Sequence, residues 1–401
     1  MIKQVVILVG GKGTRLKNLT KNLPKPLIKI NNLSFLELVL RKISQYYPQE
    51  IYLMAGFKAE KIKKKFHNKK ILFSKVKVII ENNPLGTGGC LSQLKNKINS
   101  NFLVLNGDSI FDIDILDFLK KSESFLKQNK ALCSIALTKN INYLSNNKLS
   151  NLYLEKSKHV TFNQKNSRYM NAGIYLFNKK ILDKLKKKYI SLETQIIPKI
   201  IGKKQAGGFV FNNYFIDIGI KKNLQLFRSR IKKQFQNQKC LFLDRDGVIN
   251  KLNGYVVKFS QMKMQKNIDS TLKYLNQKKI LIIVITNQSA VGRGFINENN
   301  LNELHYKFFN KIFRKNGATI NDIYYCPYIK NAKIKKYDKD SIYRKPKPGM
   351  LIKAIKDWGL QKKNCLFIGD QMTDQLAAAK ANIKFSNINK ENLFKKVKKL
   401  Y

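Results

Sequence analysis

Asp244 and Asp246, one residue apart in Asp-Arg-Asp-Gly, directly follow the apolar run 240–243; Gly369-Asp370, with Asp374 beyond it, follows another at 365–368. A strand that ends in an acid presents it at the carboxyl edge of its sheet, where open α/β sheets bind ligands. Acids gathered there suit the holding of a hard cation through oxygen. A carboxylate approaches a phosphate only if positive charge offsets the repulsion. A different set stands near the N-terminus, where Gly10-Gly11-Lys12-Gly13-Thr14-Arg15 follows the run 5–9 and Lys25 lies between Pro24 and Pro26. A glycine loop lets backbone N–H groups approach phosphate oxygens, and a lysine between two prolines is a stiffened point charge. Neither the GxxxxGK[ST] nor the GxGxxG pattern is present.

These groups need strands and helices to place them. The spacing predicts strands at 5–9, 51–55, 76–81 and 102–106, with Ser34 capping the helix between the first two. It predicts a second set at 240–243, 280–285 and 365–368, separated by helices around 270–276, 298–313 and 350–358. Both halves therefore read as α/β, with parallel sheets covered by helices. A chain of 401 residues exceeds one ordinary core, and two domains are expected, 1–230 and 239–401. The polar, basic link at 223–239 lacks Pro and Gly and reads as a helix running into a short connector.

The formal charge of +53 suggests nucleic acid, but only nine of the 78 basic residues are Arg, and the lysines are scattered. That pattern, with abundant Asn, Ile, Phe and Tyr, fits a coding bias and anionic substrates, and no dedicated nucleic-acid partner is expected. Five scattered cysteines without a CxxC argue against a disulfide framework. No apolar run reaches membrane-spanning length, and the N-terminus lacks the marks of a signal peptide, so a cytoplasmic location without a membrane partner is expected.

The N-terminal series continues through Glu81-Asn82-Asn83-Pro84-Leu85-Gly86-Thr87-Gly88-Gly89, Asn106-Gly107-Asp108, Glu155-Lys156, Asn171-Ala172-Gly173, Glu193 and Asp217-Ile218-Gly219. In this order it resembles the sugar-phosphate nucleotidyltransferases, which implies a Rossmann-like sheet. By that resemblance Gly10, Gly11, Gly13, Thr14 and Arg15 would hold a nucleoside triphosphate, and Lys25 would meet the phosphates of the reacting pair. Glu81 and the turn containing Gly86 would sit by the nucleotide. Asp108 and Asp217 would ligate Mg²⁺, while Glu155, Lys156, Asn171 and Gly173 would contact the sugar and its phosphate.

The C-terminal series resembles the haloacid dehalogenase-like phosphatases, with their Rossmannoid domain. Its strings DRDGVIN, TNQSAVGRG and YRKPKPGM are similar to the heptose bisphosphate phosphatases. The resemblance implies that Asp244 attacks phosphorus and that Asp246 protonates the leaving oxygen, then activates water. Asp244, the Asp246 carbonyl and Asp370, supported by Asp374, would bind Mg²⁺. Thr286 and Lys345 would hold the transferring group, and Asn287, Arg293 and Arg344 the second phosphate or hydroxyls. Relatives carry a zinc loop that reads here as Cys326-Pro327-Tyr328 and Ser341-Ile342-Tyr343, too few ligands for a closed site. No structural zinc is expected, and 330–341 should be held by packing or left mobile.

Together the resemblances imply one enzyme that converts D-glycero-D-manno-heptose 1,7-bisphosphate to the 1-phosphate and activates it with GTP or another NTP. The alternative is a mannose 1-phosphate guanylyltransferase joined to a phosphatase of different specificity. The oligomeric state stays open.

Overall fold

The apolar, β-branched run Gln4–Leu8 is nearly all buried, as a central strand covered on both faces must be. It pairs in parallel with Glu50–Ala55 on one side and Phe102–Asn106 on the other. The computed structural model describes residues 2–139, 152–162, 169–252, 254–388 and 391–401. The chain divides into two units, Met1–Ser44 with Pro48–Arg230 and Gln45–Tyr47 with Ile231–Tyr401. The division falls inside one helix, Lys221–Asn237.

Among the described residues of the first unit, eight strands form a mixed sheet. Ser74–Ile80 and the short Lys70–Ile71 extend it beyond Glu50–Ala55; Met170–Phe177, Cys133–Thr138 and Ala206–Val210 extend it beyond Phe102–Asn106. Met170–Phe177 runs antiparallel to both neighbours. Ser34 begins the helix Phe35–Ser44 as expected. Its Oγ accepts from the Glu37 N–H at 3.3 Å, and the Glu37 carboxylate accepts from the Ser34 N–H at 2.7 Å, which closes a capping box.

The second unit holds a parallel sheet of five strands, in the order Asp322–Cys326, Leu281–Asn287, Cys240–Leu243, Cys365–Gly369, Lys384–Asn387. Helices Ile268–Gln277, Glu298–Asn316 and Gly349–Trp358 stand where the periodicity places them. The strand expected at 280–285 extends to Asn287, because Thr286 and Asn287 pair with Tyr325 and Cys326. No helix among the described residues is long and apolar enough to cross a membrane.

The segment between Cys326 and Arg344 is held by packing. The Tyr337 ring is buried, its hydroxyl donates to Glu298, its carbonyl accepts from the Ile329 N–H, and the Ile334 N–H bonds to the Gly292 carbonyl. Tyr337→Phe removes one partly buried hydrogen bond, worth about 1 kcal/mol. The expected result is faster proteolytic cleavage within 329–343 and a second-unit melting temperature lower by about 3 °C. Unchanged protection would show that the hydroxyl does not anchor the segment.

Two candidate active sites

In the first unit the carboxyl ends of the central strands open into a cavity of about 750 Å³. Gly10, Gly11, Arg15, Lys25, Glu81, Gly86, Asp108, Asn171, Gly173 and Asp217 all line it. Asp108 follows the strand Phe102–Asn106, and Asp217 ends Phe215–Asp217, which pairs with Ser109–Phe111. Lys25 joins them, with Nζ 2.7 Å from Asp108 Oδ2 and 3.4 Å from Asp217 Oδ1. Burial would raise the Asp108 carboxyl, but the Lys25 charge and hydrogen bond outweigh it and hold the group below its ordinary value. Asp217 Oδ1 also accepts from the Gly219 N–H at 2.6 Å. Two hard oxygen donors thus face one cationic position, a donor set that fits Mg²⁺.

Across the cavity, burial raises the Glu81 carboxyl, whose Oε2 accepts from the Leu85 N–H at 3.1 Å. A Cβ on Gly10 would lie 2.9 Å from Glu81 Oε1, so a side chain there would push against the carboxylate. Asn171 Oδ1 accepts from the Gly173 N–H at 3.0 Å, and its Nδ2 donates to the Tyr175 hydroxyl. Gly13, Thr14, Glu155 and Lys156 do not line the cavity. Gly13 adjoins it, its carbonyl accepting from the Thr20 hydroxyl, while Glu155 and Lys156 lie on the turn between Leu152–Leu154 and Val160–Phe162. The lining also includes Thr87, Tyr189, Ser191 and Glu193. Thr87 Oγ1 donates to Glu193 Oε2 at 2.6 Å and accepts from the Leu192 N–H at 2.9 Å, which locks the glycine turn to a segment 105 residues away. Of these four, Thr87 in the glycine turn and Glu193 belong to the series seen in the sequence, whereas Tyr189 and Ser191 carry no pattern of their own.

In the second unit Asp244, Asp370 and Asp374 each offer an oxygen within 4.8 Å of the others. Lys345 lies among them, with Nζ 2.9 Å from Asp244 Oδ1 and 2.5 Å from Asp374 Oδ1. Burial would lower the Lys345 ammonium, and the two carboxylates reverse that and raise it. One lysine does not neutralise three acids. Burial, opposed by Lys345 and reinforced by Asp374 and Asp246, pushes Asp244 up to about 7. Burial and the Asp374 charge also raise Asp370, whose buried Oδ1 has no hydrogen-bond partner. An excess of buried negative charge with an unsatisfied oxygen is what a divalent cation relieves, so this cluster fits Mg²⁺. Gly247, at φ +87°, lets the chain turn against Asp370, because a Cβ there would lie 2.1 Å from Asp370 Oδ2.

The adjoining pocket of about 150 Å³ is lined by Asp244, Asp246, Thr286, Asn287 and Lys345, together with Leu252 and Tyr255. Asn287 and Lys345 exchange side-chain and backbone hydrogen bonds at 3.1 Å, which fixes the lysine. Asp246 lies outside the three-acid cluster. Its carboxylate accepts from Arg245, from Asn250 Nδ2 at 2.9 Å and from Gln288 Nε2 at 2.9 Å. Arg293 and Arg344 do not line this pocket. The Arg293 guanidinium stands 5.7 Å from the centre of the Tyr255 ring, and Arg344 Nη1 donates to the Tyr328 carbonyl at 3.3 Å.

Each site gathers acids, a buried lysine and a cavity at the carboxyl ends of parallel strands, and this defines a phosphate-handling α/β enzyme twice on one chain. The chain belongs to the nucleotidyl transferase family, matched over residues 4–234, and to the haloacid dehalogenase-like hydrolase family, matched over 152–382. The second match reaches back into the first unit, whereas the sheet carrying Asp244 begins at Cys240. The D-glycero-alpha-D-manno-heptose 1-phosphate guanylyltransferase of Campylobacter jejuni is 34% identical over 56% of this chain and 98% of its own length. The D-glycero-alpha-D-manno-heptose-1,7-bisphosphate 7-phosphatase of the same organism is 37% identical over 36% of this chain and 78% of its own. A beta-anomer 7-phosphatase from Pasteurella multocida is 36% identical over 37% and 79%.

Proposed function

We propose that this chain is a bifunctional enzyme of heptose activation. Its second unit hydrolyses the 7-phosphate of D-glycero-D-manno-heptose 1,7-bisphosphate, and its first transfers GMP from GTP to the remaining 1-phosphate, with release of pyrophosphate. The observation that carries this reading is that guanylyltransferase and 7-phosphatase relatives match different parts of one chain, and the product of one reaction is the acceptor in the other. The phosphatase relatives differ in anomer. Hydrolysis at the 7-position leaves the anomeric phosphate untouched, so the transferase half decides, and its relative acts on the alpha form.

Asp244 attacks the 7-phosphoryl group and Lys345 offsets the charge of the approaching phosphate. Thr286 holds the group and Asn287 contacts the distal phosphate or hydroxyls, while Asp246 gives a proton to the leaving oxygen and later takes one from water. Arg293 and Arg344 belong at the distal phosphate or hydroxyls, a role for which a bound substrate must draw them from their present partners. In the first unit the cavity aligns two polyanions, with Gly10, Gly11, Gly13, Thr14 and Arg15 at the triphosphate, Glu81 and Gly86 near the base, and Lys25 between the reacting phosphates. Glu155, Lys156, Asn171 and Gly173 would face the sugar phosphate, the first two by closing onto it.

Asp244, Asp370 and Asp374, with the Asp246 carbonyl, would hold Mg²⁺ in one site, and Asp108 with Asp217 in the other. The bound ion supplies positive charge against the phosphoryl oxygens. Excess chelator should abolish both activities and Mg²⁺ restore them, and either activity persisting in chelator would contradict the assignment. Offering heptose 1-phosphate with each NTP in turn tests the substrate reading. A GDP-sugar from the alpha anomer is expected, and turnover with mannose 1-phosphate instead would favour the hexose alternative.

A further inference from the structure

Arg245, the residue between the two acids, is only 1% exposed. Its guanidinium is fixed on two sides. Nε and Nη2 donate to Asp246 Oδ1 at 3.2 and 2.8 Å, and Nη2 also reaches Oδ2 at 2.7 Å. Nη1 donates to His305 Nε2 at 2.8 Å, on the helix Glu298–Asn316. His305 is fully buried, and burial, with the Arg245 charge, holds its imidazole well below the ordinary value. It is therefore a neutral acceptor. It fixes the guanidinium without competing for its charge, which remains paired with Asp246. Desolvating an arginine is costly, and an apolar side chain of similar volume would serve packing as well or better. A fixed fork aimed at one acid of the site points to a function.

We propose that Arg245 and His305 are positioning residues for the phosphatase: His305 orients Arg245, and Arg245 fixes the direction in which Asp246 presents its carboxyl group to the leaving oxygen. This rests on the reading of Asp246 as the acid. In that step a bond forms between Asp244 Oδ and phosphorus, and the bond from phosphorus to the sugar oxygen breaks, its electron pair staying on that oxygen. The Asp246 proton moves to it, giving an alcohol, an aspartyl phosphate and a carboxylate. The Arg245 fork, donating to both Asp246 oxygens, holds the carboxyl group in one orientation during that transfer.

The test compares kcat/KM of the full chain, with Mg²⁺, on heptose 1,7-bisphosphate and on p-nitrophenyl phosphate, whose leaving group departs without needing a proton. Arg245→Lys keeps the charge and loses the fork. His305→Leu removes the acceptor, and His305→Gln keeps one. The first two should lower kcat/KM for the sugar ester by about 10²-fold, the scale of general acid catalysis, with KM nearly unchanged. The nitrophenyl ester should lose only a few fold, and His305→Gln should recover most of the activity. Equal losses on both esters would mean a structural role only and would overturn the proposal. Asp246→Asn separates the two levels. If it too treats the esters alike, the acid reading falls and the proposal with it; if it discriminates while Arg245→Lys and His305→Leu match the parent chain, the proposal falls alone. Thermal melting of each variant identifies any that fails to fold, and His305→Gln and Arg245→Lys are conservative enough to keep the comparison.

Discussion

Asp244→Asn is expected to abolish release of orthophosphate, by about 10⁴-fold or more, as loss of a covalent nucleophile does. Guanylyl transfer should continue at the parental rate, because the cavity that would serve it is built wholly from residues of the first unit. The variant should also fold. Asp244 has a folded-state value raised to about 7 from 3.8, so its stabilising contribution is complete below about pH 4 and is lost as the pH rises through 7. Above pH 7, without metal, the ionised carboxylate opposes folding. Asparagine removes that opposition, and the metal-free variant should melt at the same temperature as the parent or higher at pH 8. Loss of phosphatase activity together with a sharply lower melting temperature would attribute the loss to misfolding. Retention of phosphatase activity would remove Asp244 as the nucleophile.

Asp108→Asn should give the complementary result, a fall in nucleotidyl transfer of at least about 10²-fold with the phosphatase unchanged. The change removes a hard donor from the pair with Asp217 and leaves Lys25 with one anionic partner, at 3.4 Å. The Asp108 side chain is still 38% exposed, so the cost in stability should be small. Its direction follows from the lowered carboxyl: the stabilisation is present above the unfolded value, near pH 4, and is lost as the pH falls through the folded one. The two variants mixed together should restore conversion of bisphosphate to nucleotide sugar, since each retains the half that the other lacks.

The central strands and their acids were legible because those apolar runs lead into the group they present, whereas the fully buried Cys133–Thr138 and Met170–Phe177 end in no such group and were not predicted. Asp108, Asp244 and Asp370 sit directly beyond buried runs, and a strand's carboxyl end is fixed by its own residues. The pairings were not legible. Lys25 meets Asp217 across 192 residues, and Thr87 meets Glu193 across 106. Contacts set by the order of strands in a sheet leave no local period. Asp322–Cys326 and Lys384–Asn387 carry no clear strand pattern, because these edge strands are short and mixed in polarity. Nothing local in the sequence sets Arg245 or His305 apart. Only the folded chain brings them to 2.8 Å.

The most direct measurement gives the full chain Mg²⁺, GTP and the alpha anomer of heptose 1,7-bisphosphate, and follows orthophosphate, pyrophosphate and sugar nucleotide by mass spectrometry over time. Orthophosphate should appear first, followed by pyrophosphate and GDP-heptose in equal amounts, with no nucleotide sugar retaining the 7-phosphate. Orthophosphate without GDP-heptose, when supplied heptose 1-phosphate is also refused, would contradict a single chain that carries both steps of heptose activation.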